Sequence, residues 1–450
     1  MHRKLTPIRI VVLSFAGLII AGGILLMFPF ASASHTFTSP IIAFFTSTSA
    51  VCVTGLVVVD TGTYWSGIGK FIIISLIQFG GLGYMTIATF FLLAFNRRVS
   101  LGSRFILKEG LNVSHVSKIM QFAKTTLGIV AFFEGAGTVA LTLRFMRDFP
   151  FWRALELGAF HSVSAFCNAG FDIMGGFRSL TNYTNDLTVN LTVMTLIVTG
   201  GIGFYALWRL VNIVIDIFRG KHIARMPLHI KIVFRTTFWL ILLGAGIIMF
   251  FEWSNPHSIG LLSVRGKILA SFFQAITPRT AGFNTVAMSS MHQSTLFIIM
   301  LLMFIGGSPG GTAGGIKTTT FVIFFKSMFK AVAGKKHVEL YGRTITDDIV
   351  DKAVFIVGFA AITISIAAII ILSAEHDQFT FLQVMFEVFS AFGTVGLSTG
   401  ITPHLSDLSR LVIIATMFIG RVGPLSLLLS MVGRKRIPKV EYPSEEVGIG

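Results

Sequence analysis

The sequence predicts an all-α polytopic membrane protein made of four pseudo-symmetric units, each with an outer helix, a re-entrant helix, an extended segment and an inner helix. Composition is the first reason: 53% of the 450 residues are hydrophobic, only 12% are charged, and the mean hydropathy is +0.80. Soluble domains carry about 25% charged residues. The second reason is a glycine-containing pattern that recurs four times along the chain.

Long apolar runs predict eight full spans, because a helix needs roughly 20 residues to cross the hydrocarbon core. The run near the N-terminus exceeds the 7–15 residues or so of a signal-peptide core, so we expect an uncleaved first span, although Ala31–Ser34 resembles a cleavage site. The runs are Ile8–Phe28, Phe71–Phe95, Phe122–Leu143, Leu187–Phe218, Ile232–Phe251, Leu296–Ile305, Ala353–Leu372 and Leu411–Val432.

The formal net charge of +16 has a topological explanation. Basic residues cluster before the first span, in every second connection and after the last span, which by the positive-inside rule makes both termini cytoplasmic. We therefore expect a multi-pass protein of the plasma membrane, in contact with the lipid bilayer, and no nucleic-acid partner. The two cysteines, Cys52 and Cys167, lie in apolar segments and indicate neither a disulfide framework nor a metal site.

Four segments of intermediate polarity follow the odd-numbered spans. Each offers about 12 helix-compatible residues, which rise about 18 Å and cannot span a membrane, so we expect re-entrant helices. They end in CVTGL, CNAGF, RTAGF and GTVGL, whose glycines recur at intervals of 112 to 115 residues. A second glycine-containing pattern, here called the second register, recurs downstream in each unit. It stands at FGGLG (79–83), TGGIG (199–203), IGGSPG (305–310) and IGRVG (419–423). The predicted repeats are 5–95, 116–220, 228–330 and 348–434, followed by a cytoplasmic tail at 435–450.

These extended segments suit a pathway for a dehydrated monovalent cation. Backbone carbonyls supply ligands without a counter-charge that would trap the ion, and glycine permits the unusual backbone angles that aim them at one axis. The preceding helix turns its partially negative end toward the same point. The candidate selectivity-filter residues, whose carbonyls would be the only K⁺ ligands, are Val53, Thr54, Gly55, Asn168, Ala169, Gly170, Thr280, Ala281, Gly282, Thr394, Val395 and Gly396.

Val53-Thr54-Gly55 and Thr394-Val395-Gly396 look like degenerate forms of the potassium-channel filter sequence TVGYG. The fourfold arrangement in one chain resembles the Ktr/Trk/HKT superfamily of potassium and sodium transporters over residues 5 to 435. The short length places it nearest the Ktr membrane subunit. In plant relatives a serine at the first filter glycine accompanies sodium transport, so Gly55 favours potassium. Asn168-Ala169-Gly170 and the third segment are looser, which implies less strict selectivity.

The resemblance also implies partners. A Ktr-type membrane subunit forms a homodimer and assembles with a cytosolic ring of nucleotide-binding RCK (KTN) regulatory subunits. The chain itself is then expected to bind no cofactor, and the nucleotide would sit on the partner subunit. The basic connectors at 97–124, 219–231 and 330–352 are the expected docking surface, although the positive-inside rule alone also explains their charge. Whether Na⁺ is transported or coupled stays open.

The segment after the sixth apolar run interrupts what would be one helix. Its glycines permit more than one backbone path, and Pro309 prevents a continuous helix. In the superfamily the corresponding stretch is an intramembrane loop that obstructs the pore below the filter and acts as the gate. The alternative is a kinked transmembrane helix. The candidate gating residues are Gly306, Gly307, Ser308, Pro309, Gly310, Gly311, Thr312, Ala313, Gly314, Gly315 and Lys317, within the loop 305–317.

The fourth unit departs from the shared register, because Arg421 stands where the other units have Gly81, Gly201 and Gly307. A guanidinium in mid-span is costly and is expected to face the pore or a polar partner. The resemblance implies a basic residue here, close to the gating loop. Lys317 is expected at the pore-facing end of the loop or reaching toward the cytoplasm.

Three other functions are weaker interpretations. Gly310–Thr318 misses the phosphate-binding GxxxxGK[ST] pattern by one residue and follows a membrane run, which disfavours an ATPase. A membrane enzyme would need clustered His, Cys or carboxylates, whereas His161 stands alone in its re-entrant segment. An alternating-access, sodium-coupled symporter also uses broken helices, but such proteins show two repeats rather than four.

Glu134, in the third apolar run, is an acidic residue within a predicted span. Its role is open between a structural and a functional one.

Overall fold

The computed structural model describes residues 7–94, 119–220, 226–376 and 378–423, and residue 428. Regular structure in these ranges is helical apart from a hairpin of β1 (Val338–Leu340) and β2 (Arg343–Ile345). The predicted all-α class is confirmed. The predicted tail at 435–450, most of the connector 97–124 and part of the connector 219–231 lie outside the described residues.

The described helices fall into four sets with the same order. Four long outer helices, numbered 1 to 4, are Pro7–Met27, Ile119–Phe145, Leu228–Glu252 and Asp347–Ala374. Short helices 1 to 4, the predicted re-entrant ones, are Pro40–Val51, Phe151–Phe166, Val264–Ile276 and Phe381–Gly393. Inner helices 1 to 4 are Gly67–Ala94, the pair Leu187–Gly201 and Phe204–Phe218, the pair Gln293–Phe304 and Thr318–Val332, and Asp407–Val422.

Local sequence signals determine where the short helices begin. Proline at the first position starts short helix 1, where its missing N–H costs nothing. The Ser263 hydroxyl accepts from the Gly266 amide at the start of short helix 3. Thr380 and Gln383 form a reciprocal capping box at the start of short helix 4. With 12 to 16 residues, these helices are too short to cross a bilayer.

Four helices are long and apolar enough to span a membrane, namely Arg9–Met27, Lys124–Phe145, Leu228–Glu252 and Asp347–Ala374, and they coincide with the outer helices. The two parts of inner helix 2 form a fifth candidate span, bent by 105°. Among the described residues the inner helices are therefore broken or short, and the count of eight full spans stays a prediction. The last glycine of the second register interrupts inner helices 1 and 2, since Gly83 and Gly203 have φ of 69° and 100°, and inner helix 4 ends before Gly423, whose φ is 86°.

The first glycine of that register has a different task. A β-carbon on Gly80 would lie 1.9 Å from the carbonyl oxygen of Val51 at the end of short helix 1. Gly200 and Gly420 meet the ends of short helices 2 and 4 in the same way, at 1.9 and 2.0 Å. Contacts this close admit no side chain, so each glycine lets an inner helix rest directly on the backbone of its own short helix.

The four sets close into a ring. Inner helix 1 packs against short helix 2, inner helix 2 against short helix 3, and inner helix 3 against short helix 4. Inner helix 4 then packs against short helix 1. The short helices bury several aromatic side chains, namely Phe45, Phe166, Phe273 and Phe386, whereas the outer helices expose large apolar ones such as Phe132, Phe250 and Ile369. An apolar outer surface suits a lipid environment.

Replacing Gly200 by alanine tests this close packing. The new methyl group would meet the Phe166 carbonyl, and overpacking of this kind costs roughly 1–3 kcal/mol. We expect a lower thermal-unfolding midpoint in detergent, followed by fluorescence-detected size exclusion. Gly128→Ala, on outer helix 2 with no atom within 4 Å of the added carbon, is the matched control and should be tolerated. Equal midpoints for both variants would contradict the packing.

Candidate ion pathway

The four predicted filter glycines lie next to one another in space. A β-carbon on each would stand within 2.2 to 2.7 Å of a backbone carbonyl oxygen in the next unit. The order of contacts runs once around the ring, with Gly55 on Ala169, Gly170 on Ala281, Gly282 on Val395 and Gly396 on Thr54. The ring is closed by backbone alone, so a side chain at any of these glycines would have to displace a neighbouring segment.

The filter segments share an unusual backbone. Each glycine has a positive φ, and so does the residue two positions earlier, whereas the residue between them does not. Non-glycine residues rarely adopt positive φ. A positive φ at every second residue departs from a regular strand, in which successive carbonyls point to opposite sides. The φ values are 56° and 93° at Val53 and Gly55, 58° and 68° at Asn168 and Gly170, 66° and 77° at Thr280 and Gly282, and 50° and 92° at Thr394 and Gly396.

The N–H groups of these segments point back to the short helices. The Thr54 amide donates to the Ser49 carbonyl at 2.8 Å, and the Gly55 amide donates to the Ser49 hydroxyl at 3.0 Å. The fourth unit repeats the pair at the same distances, with Ser390 as the acceptor. The Ala169 amide donates to Ser164 at 2.7 Å and the Ala281 amide to Thr277 at 2.9 Å. Because the donors are used behind the segment, the carbonyls are left for the axis.

The resulting site can coordinate a cation without any charged ligand. Rings of backbone carbonyls replace the hydration shell of a monovalent ion. Within the described residues, no group of three or more His, Cys, Asp or Glu side chains could hold a metal ion. The four short helices end at the ring, so their partially negative ends add to its preference for a positive ion.

A cavity of about 370 Å³ opens on one side of the ring and includes all four glycines in its lining. Asp60 and Asp172 also line it and give it negative charge. Burial, together with the charge of the neighbouring Asp60 carboxylate, raises the pKa of Asp172 to about 7, although a hydrogen bond from the Met174 amide acts in the opposite direction. The charge of this vestibule therefore changes around neutral pH, with more negative charge above pH 7 than below it.

On the other side of the ring lies the glycine-rich loop that interrupts inner helix 3. Ile305 and Ile316 pair as a parallel bridge, so the loop leaves and returns at one place. The Gly306 amide donates to the Ile316 carbonyl at 2.9 Å, and the Thr318 amide donates to the Gly307 carbonyl at 3.0 Å. The segment is therefore a closed loop with its own hydrogen bonds and not one kinked helix.

Inner helix 2 holds the loop in place from its break. The Ser308 and Thr312 amides donate to the carbonyls of Gly201 and Gly200, at 2.8 and 3.2 Å. In return, the Phe204 amide at the start of the second half donates to the Gly310 carbonyl at 2.9 Å. The 105° bend thus frees backbone groups that the loop then satisfies, as unpaired polar groups inside a membrane protein require.

The loop also touches three of the four filter segments. The Thr312 hydroxyl lies 2.9 Å from Asn168 Oδ1 and 3.1 Å from the Phe166 carbonyl. A β-carbon on Gly314 would lie 2.0 Å from Thr394 Oγ1, and one on Gly306 would lie 3.2 Å from Thr280 Cγ2. The loop therefore lies directly against the filter, where it would obstruct any pathway along the ring axis.

Two basic side chains bind loop carbonyls. Arg421 donates through Nη1 to Thr312 and through Nη2 to Gly80, with a longer contact of 3.4 Å to Gly81. It thus joins the loop to inner helix 1. Lys317 Nζ donates to the carbonyls of Ala313 at 2.6 Å and Gly314 at 3.3 Å. Lys317 is folded back onto the loop, because the glycine loop offers nearby acceptors.

Several residues of this region were missed by reasoning from the sequence. The second glycine register was used only to align the repeats, yet its first glycine contacts a short helix and its last glycine breaks an inner helix. Its recurrence in all four units was the available signal. Asp60 and Asp172 lie in different connections of the chain, and nothing in the sequence places them together in the vestibule. His161 is buried among aromatic rings, with Nδ1 2.7 Å from the Leu157 carbonyl.

Comparison with known proteins agrees with this arrangement. The chain is 37% identical to the Ktr system potassium uptake protein B of Bacillus subtilis, covering 99% of this chain and 97% of that protein. It is 36% identical to the potassium/sodium uptake protein NtpJ of Enterococcus hirae, covering 100% and 98%. The crystal structure of the potassium transporter TrkH from Vibrio parahaemolyticus shares the fold, with a TM-score of 0.74 at 20% identity over 96% of this chain and 86% of that one.

The family model described as TrkH, cation transport protein, matches residues 5–438, which is nearly the whole chain. The predicted resemblance to the Ktr/Trk group is confirmed, as is the prediction of a transporter in place of an enzyme. By the extent of this match and the identity to full-length relatives, the chain belongs to the TrkH family of cation transport proteins.

Proposed function

We propose that this chain is the ion-conducting membrane subunit of a potassium uptake system and that K⁺ crosses the ring of four glycines with carbonyl oxygens as its ligands. The observation that carries the proposal is the closed ring with its alternating backbone. Relatives named potassium uptake proteins match the chain over nearly its full length, which supports the choice of ion.

Sodium is the second ion of this proposal. One full-length relative is named a potassium/sodium uptake protein. The second filter segment departs most from the TVG pattern. Its Asn168 side chain donates through Nδ2 to the Arg279 carbonyl at 3.2 Å, and this contact links two neighbouring segments. We expect K⁺ to be preferred and Na⁺ to be accepted less well, with discrimination weaker than in a strict potassium channel.

The loop 305–317 is proposed as the gate. It lies against three filter segments and is held by inner helix 2 and by Arg421. Glycines 306, 307, 310, 311, 314 and 315 leave few bulky side chains to unpack, so moving the loop requires mainly an exchange of hydrogen bonds. A positive guanidinium beside the path would also raise the barrier for a cation while the loop is closed.

The ring also argues against the alternative of an alternating-access symporter. The bent inner helix 2 would suit such a protein. However, the four short helices surround one axis and end at one ring, an arrangement expected of a pore that is closed by a local gate. We therefore favour gated conduction over rocking of two halves.

A cytosolic regulatory ring and a second copy of the chain complete the proposal, with both termini on the cytoplasmic side. The β1–β2 hairpin lies in the connector 330–352, which exposes Lys335 and Lys336 just before the hairpin and Arg343 within it. Its apolar side packs with Ile232, Ile323 and Val350, so it is joined to Thr318–Val332, the helix that follows the loop. A partner bound there could move the loop through that helix.

Gly55→Ser is the first test of the filter. The positive φ of 93° strains any side chain, and the new Cβ would meet the Ala169 carbonyl, which displaces one wall of the ring. We expect K⁺ over Na⁺ discrimination to fall about tenfold, equivalent to 1.4 kcal/mol, with the protein still folded. The measurement is uptake by potassium-starved cells with and without Na⁺. Gly67→Ser, in open space, is the control; wild-type selectivity in Gly55→Ser would mean that the filter is misassigned.

Arg421→Ala, and separately a deletion across Gly310–Gly314, test the gate. Each removes bonds that hold the loop closed, and a hydrogen bond to a charged group contributes about 1.5–3 kcal/mol. We expect K⁺ flux into proteoliposomes to rise about tenfold and to depend less on the regulatory subunit. Arg410→Ala, on the same inner helix but paired with Asp407, is the control. Unchanged flux in both folded variants would place the gate elsewhere.

The proposed partner is tested by co-purification at moderate salt with a cytosolic nucleotide-binding protein. A charge-reversal variant, Lys335→Glu with Lys336→Glu, should weaken the complex, because both side chains are exposed on the hairpin connector. Glu156→Gln, exposed on short helix 2, is the control. Full activity in liposomes without any second protein would argue against a regulatory ring.

A further inference from the structure

Gln78, Glu134 and Cys167 form a polar cluster that the proposed pathway does not use. Glu134 lies on outer helix 2, Gln78 on inner helix 1, and Cys167 directly after short helix 2. Gln78 Nε2 lies 3.1 Å from each carboxylate oxygen of Glu134. The Cys167 thiol lies 3.4 Å from Gln78 Oε1 and 3.8 Å from Glu134 Oε1. Both ends of the Gln78 amide are therefore engaged.

The cluster is fixed on the side of Glu134 as well. The Glu134 backbone carbonyl accepts from the hydroxyls of Thr138 and Ser162, both at 2.7 Å. Thr138 belongs to outer helix 2 itself, whereas Ser162 belongs to short helix 2, so the Ser162 bond joins the two helices beside the cluster. Among the described ion pairs, none involves Glu134, and its carboxylate is matched by an amide in place of a cation. The amide orients the Glu134 carboxylate through hydrogen bonds and does not neutralise its charge.

The cluster lies between the second filter segment and the Gly80–Gly81 turn, whose carbonyls accept from Arg421. Cys167 immediately precedes Asn168, the first residue of the second filter segment. A β-carbon on Gly81 would lie 2.8 Å from Cys167 Cβ and Sγ. Gly81 is one helical turn after Gln78, on the same face of inner helix 1, and the Gly80 and Gly81 carbonyls accept from Arg421. The gating loop touches Phe166 and Asn168, on either side of Cys167.

We propose that Gln78 and Glu134 are positioning residues that keep the second filter segment in register with the Gly80–Gly81 turn that binds Arg421. The amide–carboxylate pair couples the shape of the filter to the closed position of the loop. This inference rests on the proposed function, since it assumes that the ring selects ions and that Arg421 holds the gate. Loss of the pair should disturb selectivity and gating together.

The exchange of the two side chains gives the decisive experiment. Gln78→Glu alone places two carboxylates opposite each other. The double variant Gln78→Glu with Glu134→Gln again pairs one amide with one carboxylate, with the two positions exchanged. Both variants are prepared beside Glu134→Leu and the wild type, and each is checked for a monodisperse size-exclusion peak. K⁺ over Na⁺ discrimination and K⁺ flux without the regulatory subunit are then measured in proteoliposomes.

We expect Gln78→Glu and Glu134→Leu to lower discrimination and raise unregulated flux, each by about three- to tenfold, and the exchanged pair to recover both. Glu156→Gln, which removes an exposed carboxylate from short helix 2, should match the wild type. Unchanged selectivity in the single variants, or no recovery in the exchange, would overturn the proposal, as would a loss confined to the amount of folded protein. Absence of K⁺ flux in the wild type would instead contradict the proposed function itself.

Discussion

The structure depends on one constraint: backbone carbonyls must face an axis without protein donors, while every neighbouring N–H is satisfied. An unpaired backbone group away from water costs several kcal/mol. The ring segments combine a positive φ at every second residue with N–H groups that turn back to serine and threonine residues at the ends of the short helices. In the proposed function, the carbonyls of these segments are the ligands of the ion.

This constraint explains the two glycine registers. Glycines 55, 170, 282 and 396 bring neighbouring segments so close that only hydrogen fits between one α-carbon and the next carbonyl. Glycines 80, 200 and 420 let the inner helices support the short helices from behind at the same closeness. Close packing without side chains leaves no room for sideways movement, so the width of the ring is determined by backbone contact.

The third unit departs from this plan, and the departure is where the gate is proposed. In place of a helix break at one glycine, the chain inserts a loop whose polar backbone is satisfied by the bent inner helix 2 and by Arg421 and Lys317. The loop is therefore held by hydrogen bonds that involve carbonyls and not by interdigitated side chains. They can be exchanged for water as the loop moves, at less cost than unpacking an apolar core.

The sequence by itself determined the membrane class, the fourfold recurrence of the glycines that form the ring and the position of the interrupting loop, because each rests on local composition or a constant interval. It also pointed to Arg421, since an arginine in an apolar run needs a polar partner. It did not predict that inner helices 1 and 2 break at Gly83 and Gly203 or that inner helix 4 ends before Gly423, because a glycine within an apolar run is compatible with an unbroken helix.

Only the tertiary structure decided which elements meet. Inner helix 2 receives the loop, Lys317 folds back onto it, and Gln78 meets Glu134 across 56 residues of sequence. Periodicity reports the faces of one helix and carries no information on which helix lies opposite. The sequence likewise carries no signal that unit 4 packs against unit 1 and closes the ring. This closure depends on the summed angles of four packed units, which no local signal specifies.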